Sequence, residues 1–155
     1  MHTEIEPERM AVWELFIRTF GALIKTFEQE LAEGAGLPIT WYDVLIQLHE
    51  APDGRLRMQA LADSVVLSRS GVTRLIDRME KAGLVRREPS REDRRGSYAA
   101  LTEDGRGVFS RAQPIHHRGI YEHFTRHLAD ADVRALRTAL AKVRNAGVTR
   151  PAAAS

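Results

Sequence analysis

The 155-residue sequence contains no cysteine and no long apolar run. Without cysteine, the chain has no disulfide bond, no thiolate metal site, no cysteine nucleophile and no sensor based on thiol oxidation. No segment approaches the ~20 consecutive apolar residues that a membrane-spanning helix requires. Residues 1–8 lack the basic start and apolar stretch of a secretory signal, so we expect a cytoplasmic protein.

The formal net charge is only +2, but the charged residues are distributed unevenly. Residues 1–54 hold three basic residues against ten acidic ones, whereas residues 55–95 hold eleven against six and residues 96–155 hold nine against five. The positive charge therefore begins abruptly at Arg55. This asymmetry predicts one surface for a polyanion and a different surface for another partner.

Apolar residues spaced three and four apart predict a mainly α-helical chain. The first helix is expected to begin near Met10 and to end at residues 34–38. Thr40 and Asp43 resemble a capping box at the start of a second helix, which stops at the turn sequence 51–54. The apolar residues of a short third helix are Met58, Leu61, Ala62 and Val65.

A fourth helix and a β-hairpin are predicted next. Ser68 is suited to cap this helix, and Gly83 lies where a left-handed residue is expected after the last turn. Residues 84–88 and 97–101 predict two short strands that are joined by a polar loop. The predicted buried face of the fourth helix consists of Val72, Leu75, Ile76 and Met79.

Two further helices are expected in the C-terminal third. Thr102 is expected to cap the first of them, and Pro114 is expected to kink or split it. Asp130 is expected to cap the second, and residues 151–155 are expected to be disordered. The apolar stripe of the last helix is Val133, Leu136, Leu140 and Val143.

The polar face of the fourth helix is a candidate for DNA contact. Ser70, Thr73 and Arg74 lie almost opposite the apolar residues on a helical wheel. Hydroxyl groups bond phosphates or base edges, and arginine bonds guanine in a bidentate manner. Arg69 and Arg78 flank this face and are placed to meet phosphates. A solvated polar face is the alternative, but the short preceding helix and the basic hairpin together favour a winged helix-turn-helix.

The hairpin loop over residues 90–96 is too polar for a core element. Arg91, Arg94 and Arg95 at a narrow tip fit the minor groove of DNA, whose negative potential attracts arginine. Asp93 is close enough in sequence to orient an arginine head group. A plain surface loop is the alternative interpretation.

Residues 67–87 resemble the recognition helix and first wing strand of the MarR family. The run Asp93-Arg94-Arg95, followed by Leu101-Thr102 and Gly105, resembles the wing signature of that family. Helix order and chain length are similar to the family over residues 10–144. The resemblance implies that Ser68, Ser70, Thr73 and Arg74 contact the major groove, that Arg95 enters the minor groove and that Asp93 braces it.

The resemblance also implies a dimer of the terminal helices and a ligand pocket between these helices and the DNA-binding lobe. Pro114 departs from the family pattern, and the absence of cysteine excludes the family's peroxide-sensing mechanism. Independently, the apolar stripes of the terminal helices exceed what a compact domain over residues 40–101 can bury, so a second copy is the economical partner.

We therefore expect a mainly α fold with a small β-hairpin wing. Residues 1–39 would form an N-terminal dimerisation helix, residues 40–101 a winged helix-turn-helix and residues 102–150 C-terminal dimerisation helices. The expected function is that of a homodimeric regulator, a repressor by family resemblance, that binds an inverted-repeat operator in double-stranded DNA. A helical dimer scaffold without DNA binding is the alternative, but it would not need an arginine-rich hairpin.

A small-molecule ligand is expected to release the regulator from DNA or to modulate its binding. The expected walls of an effector pocket are Trp13, Phe16, Trp41 and Tyr42, and ordinary core or dimer residues are the alternative. His123 and His127 are four residues apart, with His116 one heptad earlier, so a zinc-responsive regulator is a further alternative. No cofactor or metal site is predicted. Enzymatic activity is not expected, because no serine elbow, phosphate-binding glycine loop or evident pair of carboxylates is present.

Overall fold

The computed structural model describes residues 4–67, 69–90 and 96–148. This part of the chain is mostly helical with one small antiparallel sheet, and the predicted fold class is confirmed. In chain order the elements are α1 (Pro7–Ala35), α2 (Ile39–Glu50), β1 (Arg55–Arg57), α3 (Met58–Ser64), α4 (Val72–Lys81), β2 (Val85–Pro89), β3 (Ser97–Leu101), α5 (Glu103–His123) and α6 (Asp130–Val143). None of the helices described is long and apolar enough to cross a membrane.

The chain forms two compact units, residues 1–119 and residues 120–155. The core of the first unit is apolar and draws on α1, α2, α3, α4 and α5. Its largest fully buried side chains include Phe109, Leu31, Leu45, Leu48, Leu61, Leu75, Ile76 and Met79. The second unit contains α6, in which no residue is buried within the single chain and every residue except the half-buried Ala141 is exposed.

The sheet has the strand order β1-β3-β2, and both pairings are antiparallel. The predicted hairpin is the β2–β3 pair, in which Val85 lies opposite Leu101 and Pro89 opposite Ser97. Strand β1 was not predicted, because three residues are too few to show an alternating pattern. It is defined by its partner, since Arg55 pairs with Ala100 and Arg57 with Tyr98.

The predicted capping box at the start of α2 is wrong. Pro38 occupies the N-cap position, and no side chain caps the helix. Asp43 is instead 8% exposed, and its Oδ2 accepts hydrogen bonds from the backbone N–H groups of Val66 (2.7 Å) and Leu67 (2.9 Å). A buried carboxylate needs strong donors, and the turn after α3 supplies two free N–H groups.

The two ends of α4 differ in how well they were predicted. The regular α-helix begins at Val72 with Gly71 as its N-cap, and a 3-10 turn over Arg69–Gly71 precedes it, so the predicted start is too early. Ser68, the expected cap, lies outside the described residues. The predicted end is confirmed: Gly83 has φ of 77°, and the N–H of Leu84 bonds the carbonyl of Met79 at 3.0 Å.

Helix α5 starts directly against the end of α4. The Thr102 Oγ1 accepts a hydrogen bond from the N–H of Gly105 (3.0 Å) and donates one to the carbonyl of Gly83 (2.7 Å), so the predicted cap is confirmed. A Cβ atom at Gly105 would lie 2.1 Å from the Leu84 carbonyl oxygen. This position therefore requires glycine, because any side chain would push α5 away from the turn after α4.

Helix α5 runs through Pro114 without a break, so of the two predicted effects, a kink or a split, the split does not occur. Packing holds the helix on both sides of the proline: Ala112 is fully buried, and Ile115 lies against Gly34 of α1. These contacts outweigh the one backbone hydrogen bond that a proline cannot make.

The predicted cap of α6 is also wrong by one residue. Asp130 is the first residue of the helix, and Ala129 is the N-cap. The carboxylate that caps the start of α6 belongs to Asp132, whose Oδ2 accepts a hydrogen bond from the backbone N–H of Ala129 at 2.9 Å. The local helical pattern does not distinguish between two aspartates this close together.

Candidate nucleic-acid interface

Helix α4 has one buried face and one exposed face, as its sequence pattern predicts. Val72, Leu75, Ile76 and Met79 are at most 3% exposed and pack into the core of the first unit. The residues that the sequence places on the opposite side are exposed, namely Ser70, Thr73, Arg74 and Asp77, and so is the flanking Arg78. The hydroxyl and guanidinium groups of this face are therefore free to meet a ligand while the apolar face anchors the helix.

Two guanidinium groups of this face are available for a partner. Arg74 and Arg78 are exposed, and neither forms an ion pair with another residue in the part of the chain that the structure describes. The side chains of Ser68 and Arg69 lie outside the description. Arg74 and Arg78 are the arginines of α4 that can reach base edges or phosphates without first breaking a salt bridge.

The approach to α4 is held by Asp43 of α2. Its two hydrogen bonds to Val66 and Leu67 tie the turn between α3 and α4 to the core. The sequence did not reveal this role, because 23 and 24 residues separate the bonded groups. The bonds fix the point from which the chain enters the exposed helix.

The wing is described up to the base of its loop. The N–H of Ser90 bonds the carbonyl of Gly96 at 3.0 Å, so the two strands are still paired where the loop begins. The predicted wing residues Arg91, Asp93, Arg94 and Arg95 all lie outside the described residues. The structure therefore places the attachment points of the wing loop and not its side chains.

Arg87 joins the wing to α4, and sequence reasoning missed it. Its Nη2 lies 2.5 Å from Asp77 Oδ1 and 3.2 Å from the carbonyl oxygen of Thr73. Its backbone N–H donates to Glu80 Oε1 at 2.8 Å. The sequence signal that was available is the strand alternation, which directs Arg86 and Arg87 to opposite faces of the sheet.

The other face of the sheet carries a second group of arginines. The guanidinium groups of Arg55 and Arg57 each lie 5.2 Å from the centre of the Tyr98 ring. Arg86 contacts Glu88 at 2.7 Å, and hydrogen bonding from Arg86 lowers the pKa of Glu88. Part of the positive charge of residues 55–95 is therefore used within the sheet.

The four predicted effector-pocket residues lie on α1 and α2 and differ in exposure. Trp13 and Phe16 are exposed on α1, with ring centres 6.3 Å apart, and Trp41 is half-buried. Tyr42 is buried and stacks on Phe109 with ring centres 5.6 Å apart. It belongs to the core rather than to the exposed stripe of α1.

An aromatic and histidine cluster surrounds Tyr42. The centre of the His116 ring lies 4.6 Å from the centre of the Tyr42 ring and 5.1 Å from that of the Phe27 ring. Burial raises the pKa of Tyr42 to about 12 and lowers the pKa of His116, so both groups are neutral near pH 7. Within the described residues, the Tyr42 Oη and the His116 Nδ1 are buried and make no hydrogen bond.

The geometric premise of the zinc alternative is wrong. Helix α5 ends at His123, and His127 lies in a 3-10 turn, so the two histidines do not share a helical face. The Nε2 of His127 is 2.9 Å from the carbonyl oxygen of Glu122. Over residues 4–67, 69–90 and 96–148, no three histidine, aspartate or glutamate side chains are grouped to hold a metal ion.

Comparison with known proteins agrees with this architecture. A family model described as the MarR family matches residues 35–96. The HTH-type transcriptional regulator YkoM of Bacillus subtilis, itself described as uncharacterized, is 31% identical over 114 residues, which cover 73% of this chain and 72% of that protein.

Two solved structures from Streptomyces coelicolor are similar over nearly the whole chain. Sco3205, a MarR family transcriptional regulator crystallised in complex with DNA, is 30% identical with a TM-score of 0.88, covering 99% of this chain and 97% of that one. AbsC, a second MarR family transcriptional regulator, is 31% identical with a TM-score of 0.84, covering 93% and 97%. The chain therefore belongs to the MarR family of DNA-binding transcriptional regulators.

Proposed function

We propose that the chain is a homodimeric repressor that binds an inverted-repeat operator through α4 and the wing. The observation that carries this proposal is the division of α4 into two faces. Four apolar residues anchor the helix in the core, and Ser70, Thr73 and Arg74 are presented on its exposed side. A helix held this way enters the major groove with its polar side chains toward the bases.

Each residue of the interface has a proposed role. Arg74 bonds a guanine edge, while Ser68, Ser70 and Thr73 contact bases or phosphates. Arg69 and Arg78 bond phosphates on either side and so set the register of the helix. In the wing, Arg95 enters the minor groove, Asp93 orients it, and Arg91 and Arg94 contact the backbone.

The exposed apolar residues of the terminal helices support the proposed dimer. In α1 the side chains of Val12, Trp13, Leu15, Phe16, Ile17 and Phe20 are between 42% and 68% exposed. In α6 the stripe of Val133, Leu136, Leu140 and Val143 is between 39% and 58% exposed. Covering one such side chain contributes about 1.5–3 kcal/mol when its burial is complete, so residues 1–39 and 102–150 are the proposed dimerisation segments.

A two-fold dimer determines the form of the operator. Two copies of α4 would lie in successive major grooves about one helical turn apart, or ~10 base pairs. The proposed outcome of binding is repression. A relative named as a transcriptional repressor, MprA of Escherichia coli, supports it and is 27% identical over 93 residues.

We also propose a small aromatic effector with a hydrogen-bonding group. Its proposed walls are Trp13, Phe16, Trp41 and Tyr42, and the buried Tyr42 Oη and His116 Nδ1 would supply polar contacts. A regulator of similar fold, RdhR-CbdbA1625, was solved bound to 2,4-dichlorophenol and is 20% identical with a TM-score of 0.77. The effector would act by binding better to a dimer that does not fit the operator. Titration of small phenols into the operator complex tests this, and an unchanged DNA affinity throughout would contradict it.

Selection of bound sequences from random duplex DNA tests the proposed function as a whole. The expected result is an enriched inverted repeat whose half-sites have their centres about ten base pairs apart. Enrichment of a single unrepeated site, or of no sequence at all, would contradict the proposal.

A further inference from the structure

We propose that Arg87 is a positioning residue, which locks the wing to α4 so that both elements meet DNA in one geometry. The inference rests on the proposed function, because it assumes that α4 and the wing both contact the operator. Arg87 would act through Asp77 and Glu80 rather than by contacting DNA itself.

The contacts of Arg87 converge on one side of α4. Thr73, Asp77 and Glu80 are spaced four and three residues apart, so they follow one another along the same side of the helix. The side chain of Arg87 bonds the first two, and its backbone N–H bonds the carboxylate of Glu80. The guanidinium Nη2 thus joins a backbone carbonyl and a carboxylate of α4 to a strand of the wing.

The partners of the neighbouring arginine are different. Arg86 lies on the opposite face of the sheet and contacts Glu88, a residue of its own strand. Its pair therefore does not link the sheet to α4. Arg86 is a matched control, since it has the same side chain and also forms an ion pair in the same strand.

Because Arg87 lies close to the wing loop, its link to α4 should affect how the wing meets DNA. The loop over residues 91–95 begins four residues after Arg87, so a shift of β2 relative to α4 would move the wing tip. When two linked elements bind adjacent grooves, the second contact is intramolecular, and its strength depends on how well the link holds the geometry.

Direct contact between Arg87 and a phosphate is the competing role. It predicts the opposite change in operator affinity when the charge of Asp77 is removed. Asp77 is half exposed, with 50% of its side chain accessible. Removing a negative charge from a surface that faces DNA should tighten binding if only electrostatics operates. If Asp77 holds Arg87 in place, the same change should weaken binding to the operator.

The experiment measures the affinity of the full-length protein for the selected operator and for random duplex DNA. Asp77→Asn and Arg87→Gln are each expected to weaken operator binding by roughly 5- to 30-fold, since a linked second contact is lost. Asp77→Asn is expected to leave binding to random DNA unchanged or tighter. The double variant is expected to be no weaker than either single one, because both remove the same link.

Hydroxyl-radical footprinting supplies a readout that a loss of folding would not produce. Both variants are expected to lose protection of the minor groove at the wing while keeping protection around α4. Arg86→Gln and a change in the exposed turn between α2 and β1, Asp53→Asn, remove the same charges elsewhere and should keep both footprints. The hydrogen bond that the backbone N–H of residue 87 donates to the Glu80 carboxylate involves neither substituted side chain and is expected to remain in each variant. If Arg87→Gln unfolds, Asp77→Asn carries the test alone.

Two results would overturn the inference. Tighter or unchanged operator binding by Asp77→Asn would show that the carboxylate positions nothing. Additive losses in the double variant would show that the two residues act separately. Failure of the proposed function is distinguishable, because in that case the wild-type protein itself would select no inverted repeat.

Discussion

Asp43 shows how one side chain can connect distant parts of this chain. It is the fifth residue of α2, and its spacing from Thr40 suggested a helix cap, yet its carboxylate is buried and accepts hydrogen bonds from the turn that precedes α4. A pattern of four residues cannot indicate which of two backbone segments a carboxylate will bond when one of them is more than twenty residues away. The tertiary fold decided between them.

Replacement of Asp43 should therefore be costly, and replacement of Thr40 should not. Asp43→Ala is expected to lower the free energy of unfolding by about 1–3 kcal/mol, because two backbone N–H groups lose their acceptor. Thr40→Ala, the other half of the predicted capping box, is the matched control and should change it by less than about 0.5 kcal/mol. Urea unfolding measures both free energies. An equal loss of stability in the two variants would support the capping box instead.

Arg87 illustrates the same limit at the functional site. The exposed face of α4 was predictable, because helical periodicity assigns every residue to a side once the apolar residues are known. The pairing of Arg87 with Asp77 was not predictable, because it depends on how the wing strand packs against the helix. The wing arginines stay a prediction, since residues 91–95 lie outside the described part of the chain.

At the scale of elements, the sequence pattern predicted which segments are helices and strands better than where they end. The helices were recognised because their apolar faces are long enough to show a period. The continuity of α5 through Pro114 depends on packing against other parts of the fold. The cap of α6 is a local choice between two nearby aspartates. Strand β1 forms because it pairs with β3. A segment of three residues is too short for its sequence to indicate such a pairing.

The junction between α4, the wing and α5 gives a prediction at this scale. Gly105→Ala is expected to destabilise the protein by about 2–3 kcal/mol, because its Cβ would lie 2.1 Å from the Leu84 carbonyl oxygen. Gly107→Ala is the matched control in the same helix, since the nearest atom to its Cβ is an arginine nitrogen at 3.5 Å. It should stabilise the protein by up to ~1 kcal/mol through helix propensity.

Thermal unfolding of the two variants, followed by circular dichroism, measures the difference. The predicted shifts in melting temperature are of opposite sign. Shifts of the same sign and size would mean that the contact between α5 and the turn after α4 is not tight.

At the scale of the whole molecule, the exposed apolar stripes are the feature that a single chain does not explain. The described fold buries the apolar faces of α2, α3 and α4 but leaves the stripe of α6 exposed. We expect a second copy of the chain to cover this stripe in a symmetric dimer.

The two faces of α6 allow a sharp test of the dimer. Leu136→Glu places a charge within the apolar stripe. At micromolar protein concentration, where the wild type is expected to be a dimer, this variant is expected to be a monomer. Thr138→Glu places the same charge on the opposite side of the helix, beside Arg134 and Lys142, and should leave the dimer intact. Sedimentation analysis distinguishes them. A monomeric wild type, or a dimeric Leu136→Glu variant, would contradict a dimer that uses α6.

The central claim is that the exposed side of α4 recognises DNA sequence, and Arg74 tests it most directly. The measurement is the affinity of Arg74→Ala and of the control Arg78→Ala for the selected operator and for random duplex DNA at matched salt. Arg74→Ala is expected to lose about 1–3 kcal/mol of binding free energy on the operator and clearly less on random DNA, whereas Arg78→Ala is expected to lose a similar amount on both. Equal losses by Arg74→Ala on the two DNAs would contradict the claim.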